Sequence, residues 1–398
     1  MALLVAHTYG FFPSFFYLTE RTAIAPRWFT LLLFAASGLF LAAGFRLRDM
    51  TRYLQRRRMA VIWLMYASLL VFAYYVPGKT GLLYFAEATA NQYISGLMIL
   101  VAALFLMANS ETRLRLPTMM RILLLFASVL IIHDFFFPGW LVPMESEYSN
   151  FGRGAGHYVN ANTAAQAIVY GLLFLFAAEK SERRRYPCFA IGIFALIVTF
   201  SRSAWIAFFF CMVAGVFLHV IPRRFFWGIV AITALDVLLY ILLTQYTPLA
   251  RAPGVEFLHD SLQNPVVRWH SVSERMALMR AAFDMIRESP LLGNGIGAAK
   301  SPHNVYLELW ANHGLFGLLL VFSLLAAIFS RFFDKREENE IRCFSFLAGC
   351  ALFIFCFFQH WLLGMGPQLL AIAVALFGDR HVLARAGNQR QPFSGMPA

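Results

Sequence analysis

Three positions carry a charge or a titratable ring where apolar residues would cost less. Arg202 sits in TFSRSAW, a turn of two or three residues between two hydrophobic segments, with Ser201 and Ser203 as flanking donors. An arginine at a membrane surface can simply snorkel to lipid headgroups, yet charge at membrane level marks function by default. Arg275 lies in SERMALMRAAFDMIRES, and on spacing alone Arg268 and Arg280 are its equals. Loop arginines usually do no more than solvate a helix face. Guanidiniums gathered on one side of a membrane suit an anion, most naturally phosphate, whose oxygens the planar fork engages in pairs. His303 lies in SPHNVYLELWANHGLFG, just after a glycine-rich bend, with Asn304 and Tyr306 beside it as orienting groups. A lone histidine is more often structural, but an imidazole of ordinary pKa about 6.5 is the best-suited general base at neutral pH.

Other features carry less. His313 follows ten residues after His303, about 15 Å along a helix, so the two need not cooperate. GNGIGAAK at 293–300 looks superficially like a phosphate loop but lacks the GxxxxGK[ST] spacing, and its glycines read as bend-formers. Asp236 falls in the middle of an apolar segment, where a carboxylate either relays protons or sits neutral and hydrogen-bonded. His133 and Asp134 stand near the end of another segment as a polar pair of equally open role. The outer loops hold no DxD, and His, Cys and carboxylates do not cluster at metal spacings, so neither a metal nor a cofactor is expected.

The elements that must hold these residues follow from composition. The chain has 398 residues, 60% hydrophobic and 14% charged, with a mean hydropathy of +0.64. Soluble domains run at about 45–50% apolar and about 25% charged, which excludes a soluble enzyme, a DNA-binding protein and a secreted disulfide module. The five cysteines fall in or beside apolar runs without a CxxC and read as small apolar fillers. A membrane crossing takes about 17–25 helical residues. Twelve runs qualify, near 2–18, 27–45, 59–76, 93–108, 122–137, 163–179, 188–200, 204–221, 226–245, 314–329, 343–361 and 363–378. Gly10 and Pro13 interrupt the first, which has neither a basic leader nor a small-residue cleavage site, so no cleavable signal peptide is expected.

Placing the N-terminus in the cytoplasm puts 22 of the 33 Lys+Arg on the inside, the asymmetry that the positive-inside rule requires. The net charge of +12 is then a property of cytoplasmic loops and not of a nucleic acid site. Both termini fall inside. The chain reads as one membrane domain, 1–398, with a large outer loop at 246–304 between the ninth and tenth crossings. Loops that long are usually functional. Within it, 273–289 spaces Met276, Met279, Ala282, Phe283 and Ile286 at helical intervals, predicting an amphipathic helix at the outer membrane surface. The second sizeable outer loop, 138–162, carries Arg153, His157, Asn160 and Asn162.

These residues together resemble a known family. His303 and Asn304, then nine residues, then Gly314 and Gly317 fit a His-Asn-x9-Gly-x-x-Gly pattern. Before it, SERMALMRAAFDMIRESPLLGNGIG is similar to the family's arginine, amphipathic helix and Pro-Leu-Leu-Gly-x-Gly run, and NANTAAQ and TFSRSAW resemble two earlier landmarks in order. The family is the O-antigen ligase and polymerase superfamily of inner-membrane glycosyltransferases, and the motifs cover roughly 150–320. One departure is Met279, four after Arg275, where relatives often carry Trp.

The resemblance implies an all-α, polytopic, GT-C-like fold of about twelve transmembrane helices, with a periplasmic active site in the bacterial inner membrane. It implies an O-antigen ligase that moves glycan from undecaprenyl diphosphate to a sugar hydroxyl of lipid A–core, with inversion and without a metal. Arg202 and Arg275 match the family's two essential arginines and would bind the diphosphate, and His303 matches its essential base. Arg268, beside Trp269 and His270, would share the diphosphate or touch the acceptor, and Arg153, Asn160, Asn162, Asn304 and Tyr306 complete the expected binding set. The three catalytic residues should then line one outward-facing cavity. Two alternatives remain on the sequence. A polymerase would use the same donor and lengthen the lipid-linked glycan. A transporter or flippase of an anionic lipid would show two corresponding halves with broken helices, and no such duplication is visible.

Overall fold

The computed structural model describes residues 1–9, 26–44, 47–75, 83–108, 110–138, 152–158, 160–253, 255–256, 265–300, 302–337, 339–359 and 362–378. Helices carry the architecture. In hydrocarbon every backbone N–H and C=O needs an internal partner, and a helix supplies it within one segment. The chain runs through α1 (Ala2–Thr8), α2 (Pro26–Gly44), α3 (Leu47–Arg56), α4 (Arg58–Tyr75), α5 (Leu83–Ala108) and α6 (Ser110–Phe136). It continues with α7 (Ala161–Ala178), α8 (Glu182–Val198), α9 (Arg202–Phe217) and α10 (Arg223–Tyr246). The last four are α11 (Pro265–Glu288), α12 (Val305–Phe333), α13 (Asn339–Phe355) and α14 (Gly366–Phe377). Among the described residues, five helices are long and apolar enough to cross a membrane: Thr89–Ala108, Arg115–Phe136, Ala161–Ala178, Arg223–Tyr246 and Val305–Phe333. Shorter apolar helices lie at Thr30–Leu39, Arg58–Tyr74, Arg202–Phe217 and Gly366–Phe377. The protein is a helical membrane protein.

Burial separates the centre from the rim. In α7, 89% of the span is buried, against 11% for α10, whose Leu235, Val237, Leu238 and Leu239 are exposed. An apolar face open to its surroundings along a whole crossing is a lipid face, whereas α7 packs against α6, α8, α9, α13 and α14. The helices alternate in direction. The starts of α7, α9, α12 and α14 meet the ends of α6, α8 and α13 at one end of the molecule, joined by Gly154 N–H to the Val198 carbonyl at 2.8 Å and Val305 N–H to the Cys356 carbonyl at 2.8 Å.

Several sequence expectations change here. Of the first expected crossing, 2–18, the structure describes α1 only, and 10–18 lie outside the described residues. The amphipathic helix starts earlier than expected, at Pro265. Its apolar face also divides: Ala282 and Ile286 are buried with Met279 against Ala299, Leu307 and Ala311, while Met276 and Phe283 stay exposed. A helix lying on a curved partner buries only the stripe that touches it. The crossing expected at 314–329 is part of a longer element beginning at Val305, in which Gly314 adopts φ 62°, ψ −152° and breaks the helix in two.

At the end away from those helix starts, a buried clamp ties three elements together. Glu337 pairs with both Arg57 and Arg331, the latter at 3.0 Å. Both arginines also donate to the Gly378 carbonyl, at 2.9 and 2.6 Å, where α14 ends and its dipole is negative. Removing one partner of a buried ion cluster leaves uncompensated charge, at a cost of about 3–5 kcal/mol. Glu337→Ala is therefore expected to lower the thermal unfolding midpoint in detergent sharply, while Arg336→Ala, at an exposed neighbour, leaves it nearly unchanged.

Candidate active site

The site is built on two short loops that run side by side. After α6, residues 152–158 fold back onto that helix, and Asp134 accepts the N–H groups of Ala155 and Gly156, both at 2.9 Å. His157 donates from Nε2 to the Tyr9 carbonyl at 2.8 Å, fixing the same loop to the end of α1, and burial holds its pKa down to about 4. So fixed, Arg153 donates from Nε to the Thr199 carbonyl and from Nη2 to Asn162 Oδ1, each at 2.9 Å.

The second loop is the turn between α8 and α9. Phe200 takes a left-handed φ of 50°, rare outside glycine and costly enough to persist only where its surroundings enforce it. Here the Thr199 hydroxyl, bonded to the Leu196 carbonyl at 2.7 Å, braces the turn. Ser201 then caps the start of α9 in sequence and bonds Asn162 Oδ1 at 3.1 Å through its hydroxyl. Arg202 is the first residue of α9 and is exposed. The N-termini of α7 and α9 thus lie together, and the partial positive charge of each adds to the guanidiniums.

Arg275 and His303 complete the cluster from the other side. Burial first, and then the positive charges of Arg275 and Arg202, lower the pKa of Arg153, so Arg153 lies within electrostatic reach of both. Burial and then Arg275 likewise lower the pKa of His303 from its ordinary value, which keeps the imidazole neutral at neutral pH. His303 is half-buried and has a left-handed φ of 53°. Among the described residues, no carboxylate forms an ion pair with Arg153, Arg202 or Arg275. Like charges held together without a counter-ion among the described residues suit an anion of more than one charge. Among the described residues, no three His, Cys, Asp or Glu side chains gather as metal ligands.

A rigid scaffold sets the position of His303. Asn304 caps α12, its Oδ1 accepting Leu307 N–H at 3.1 Å. The half-helix 305–313 ends where Gly314 breaks it, and the bend 290–297 docks into that break. Gly295 N–H donates to the Asn312 carbonyl at 2.9 Å, Leu315 N–H to the Leu291 carbonyl at 3.1 Å, and Trp310 Nε1 to the Pro290 carbonyl at 3.0 Å. A Cβ on Gly314 would stand 2.1 Å from the Leu291 oxygen, and one on Gly293 2.4 Å from the Asn312 oxygen. Both positions also have positive φ, so glycine is required twice over.

Residues 187–322, from α8 through this break, match the family model described as O-Antigen ligase. Among curated proteins, none matches the chain. The matched segment contains Arg202, Arg275 and His303, whereas Arg153, Asn162 and Asp134 come from the preceding part of the chain.

Not every expected binding residue faces the site. Tyr306 is a correction: it is buried among Phe322, Phe353 and Phe357, and its hydroxyl donates to the Phe353 carbonyl at 3.1 Å. Three residues past His303 on a helix, its side chain turns into the apolar core. Asn304 and Asn160 spend their side-chain oxygens as helix caps, Asn160 on Asn162 N–H at 2.8 Å. The Arg268 side chain lies outside the described residues. Asp236 is buried within α10, and its Oδ2 has no hydrogen-bond partner. The residue that sequence reasoning left open and the structure puts to work is Asp134, which turns from His133 to hold the Arg153 loop. A hydrogen-bonding carboxylate at the end of a crossing, 21 and 22 residues before the amides of a glycine-rich loop, was the available signal. Asp134→Ala leaves two amides without their acceptor, at about 1–3 kcal/mol each. The expected result is roughly tenfold weaker binding of pyrophosphate by calorimetry, partly restored in Asp134→Asn.

Proposed function

We propose that this protein is an O-antigen ligase of the bacterial inner membrane, with about twelve crossings in a GT-C-like arrangement. Both termini are cytoplasmic, and the loop 246–304 and the active site are periplasmic. The donor is a glycan on undecaprenyl diphosphate and the acceptor a sugar hydroxyl of lipid A–core. The observation that carries this reading is the convergence of Arg153, Arg202 and Arg275 beside a histidine whose neutral form is favoured, with no counter-ion among the described residues.

In the reaction, Arg202 and Arg275 hold the diphosphate, braced by Arg153. His303 takes the proton of the acceptor hydroxyl as its oxygen attacks the anomeric carbon opposite the leaving group. The new C–O bond forms, the bond to the phosphate oxygen breaks, and that electron pair leaves with undecaprenyl diphosphate, inverting the anomeric centre. Charge grows on the departing diphosphate in the transition state, where preorganised guanidiniums stabilise it most. Two or three arginines supply the positive charge that a metal ion supplies in other transferases. The family match to residues 187–322 supports the ligase over other membrane transferases.

The deciding experiment is transfer of undecaprenyl-diphosphate-linked glycan to purified lipid A–core in EDTA. Conjugate formed by the wild type supports the ligase. Lengthening of the lipid-linked glycan instead makes the protein a polymerase. With verified substrates, neither product would sink the transferase reading and favour transport of an anionic lipid.

A further inference from the structure

At the end of the molecule away from the arginine–histidine site, a cavity of about 510 Å³ opens between the last turns of α7, α9 and α12 and the first turns of α8 and α13. Among the described residues its lining carries Lys180, Arg185 and Arg342 with one carboxylate, Glu340, beside His219. Among the described residues, the nearby carboxylates form ion pairs with other cations, although Glu182 and Glu179 also act on Arg185 through space. Glu340 pairs with Lys180 at 2.9 Å, Glu179 with Arg121 at 3.0 Å and Glu182 with Arg224 at 3.4 Å.

Arg185 and Arg342 are held by neutral groups instead. Arg185 donates through Nε and Nη2 to the Glu179 carbonyl and lies 5.3 Å from the ring centres of Phe176 and Phe225. Arg342 donates through Nε to the Phe332 carbonyl at 2.8 Å and through Nη1 to Asn339 Oδ1 at 3.4 Å, over the Phe332 ring. Such partners orient a guanidinium without neutralising it. Each arginine has five N–H donors, so Nη1 of Arg185 and Nη2 of Arg342 remain to face a ligand. The start of α13 adds its positive dipole end.

The chain beside the lining is the opposite in character. Leu218, in the lining, is 52% exposed, and Phe217 and Phe333, next in sequence to the lining residues Leu218 and Phe332, are 78% and 73% exposed. A cationic cavity with bulky apolar side chains beside its lining has the two-part chemistry of a phospholipid, phosphate inward and acyl chains outside. We propose that this cavity binds a phosphate group, that of an anionic phospholipid, between Arg185 and Arg342. The inference does not depend on the transferase reading.

The test is native mass spectrometry of the full chain released from a non-ionic detergent, with phosphatidylglycerol, phosphatidylcholine of the same chains, or glycerol 3-phosphate added. The wild type is expected to retain phosphatidylglycerol about tenfold better than phosphatidylcholine, as two arginines near a headgroup should provide. The preference should vanish in Arg185→Gln/Arg342→Gln and persist in Arg183→Gln/Arg184→Gln, which removes the same charge from exposed neighbours. If the double variant does not fold, Arg342→Gln alone, checked by its melting temperature, carries the comparison. A wild type without headgroup preference overturns the proposal, as does equal loss in the exposed pair. Adducts with glycerol 3-phosphate but not with the lipid would assign the cavity to a soluble phosphate and overturn the lipid source.

Discussion

Transfer by His303→Ala protein is expected to fall by about 10²–10⁴-fold in kcat, the ordinary contribution of a positioned general base. Donor affinity should change little, because the diphosphate rests on arginines. The pH profile adds a sharper signature. A base must be unprotonated, so the rate is lost as pH falls through the His303 pKa, and that pKa lies below the ordinary histidine value through burial and Arg275. The acid limb of kcat/KM should therefore fall at lower pH than an unperturbed histidine gives. Arg275→Gln removes one of the two causes, so its residual activity should show the limb displaced upward. An unmoved limb in that variant, or full activity in His303→Ala, would mean another group takes the proton.

The second large effect is expected at the guanidiniums. Arg202→Ala and Arg275→Ala should each lower kcat/KM by about 10²–10³, the scale on which removing one transition-state donor acts. Lysine should restore little at either position, because an ammonium keeps the charge but lacks the planar pair of donors that spans two phosphate oxygens. The double variant should fall short of the product of the two, since groups clamping one leaving group act as a unit. Assays in EDTA measure all of this directly. If Arg202→Lys and Arg275→Lys both retain near wild-type rates, simple charge suffices and the bidentate account is wrong.

What the sequence disclosed, and what it hid, follows from the range of each interaction. Apolar runs are local and, among the described residues, report directly the five helices long and apolar enough to cross a membrane, from Thr89–Ala108 to Val305–Phe333. Arg202 was conspicuous because a charge in a tight apolar turn has no cheap local explanation. Tyr306 misled because an aromatic beside a histidine reads alike whether it faces a cavity or, as here, stacks on Phe322 and Phe357. Met276 and Phe283 share a helical face with Ile286, and only the partner helix decides which of them is covered. The role of Asp134 stayed open because its partners are backbone amides, which carry no sequence signature of their own beyond the glycines of their loop. The break at Gly314 was hidden for a related reason: hydropathy is continuous across it, and what stops the helix is the bend packed against it.

That break makes the interval from His303 to Gly314 a ruler. Gly314 is pinned by the Leu291 and Gly293 backbone, so the stretch before it can neither slide nor rotate without losing that seat. Each residue of helix advances the chain by about 1.5 Å and turns it by about 100°. One residue inserted between Val305 and His313 would keep every side chain of the cluster and all of its charge, yet swing the imidazole about 100° around the axis, away from Arg275. The spacing of nine residues between Asn304 and Gly314 is in this sense as much a part of the site as the histidine it aims.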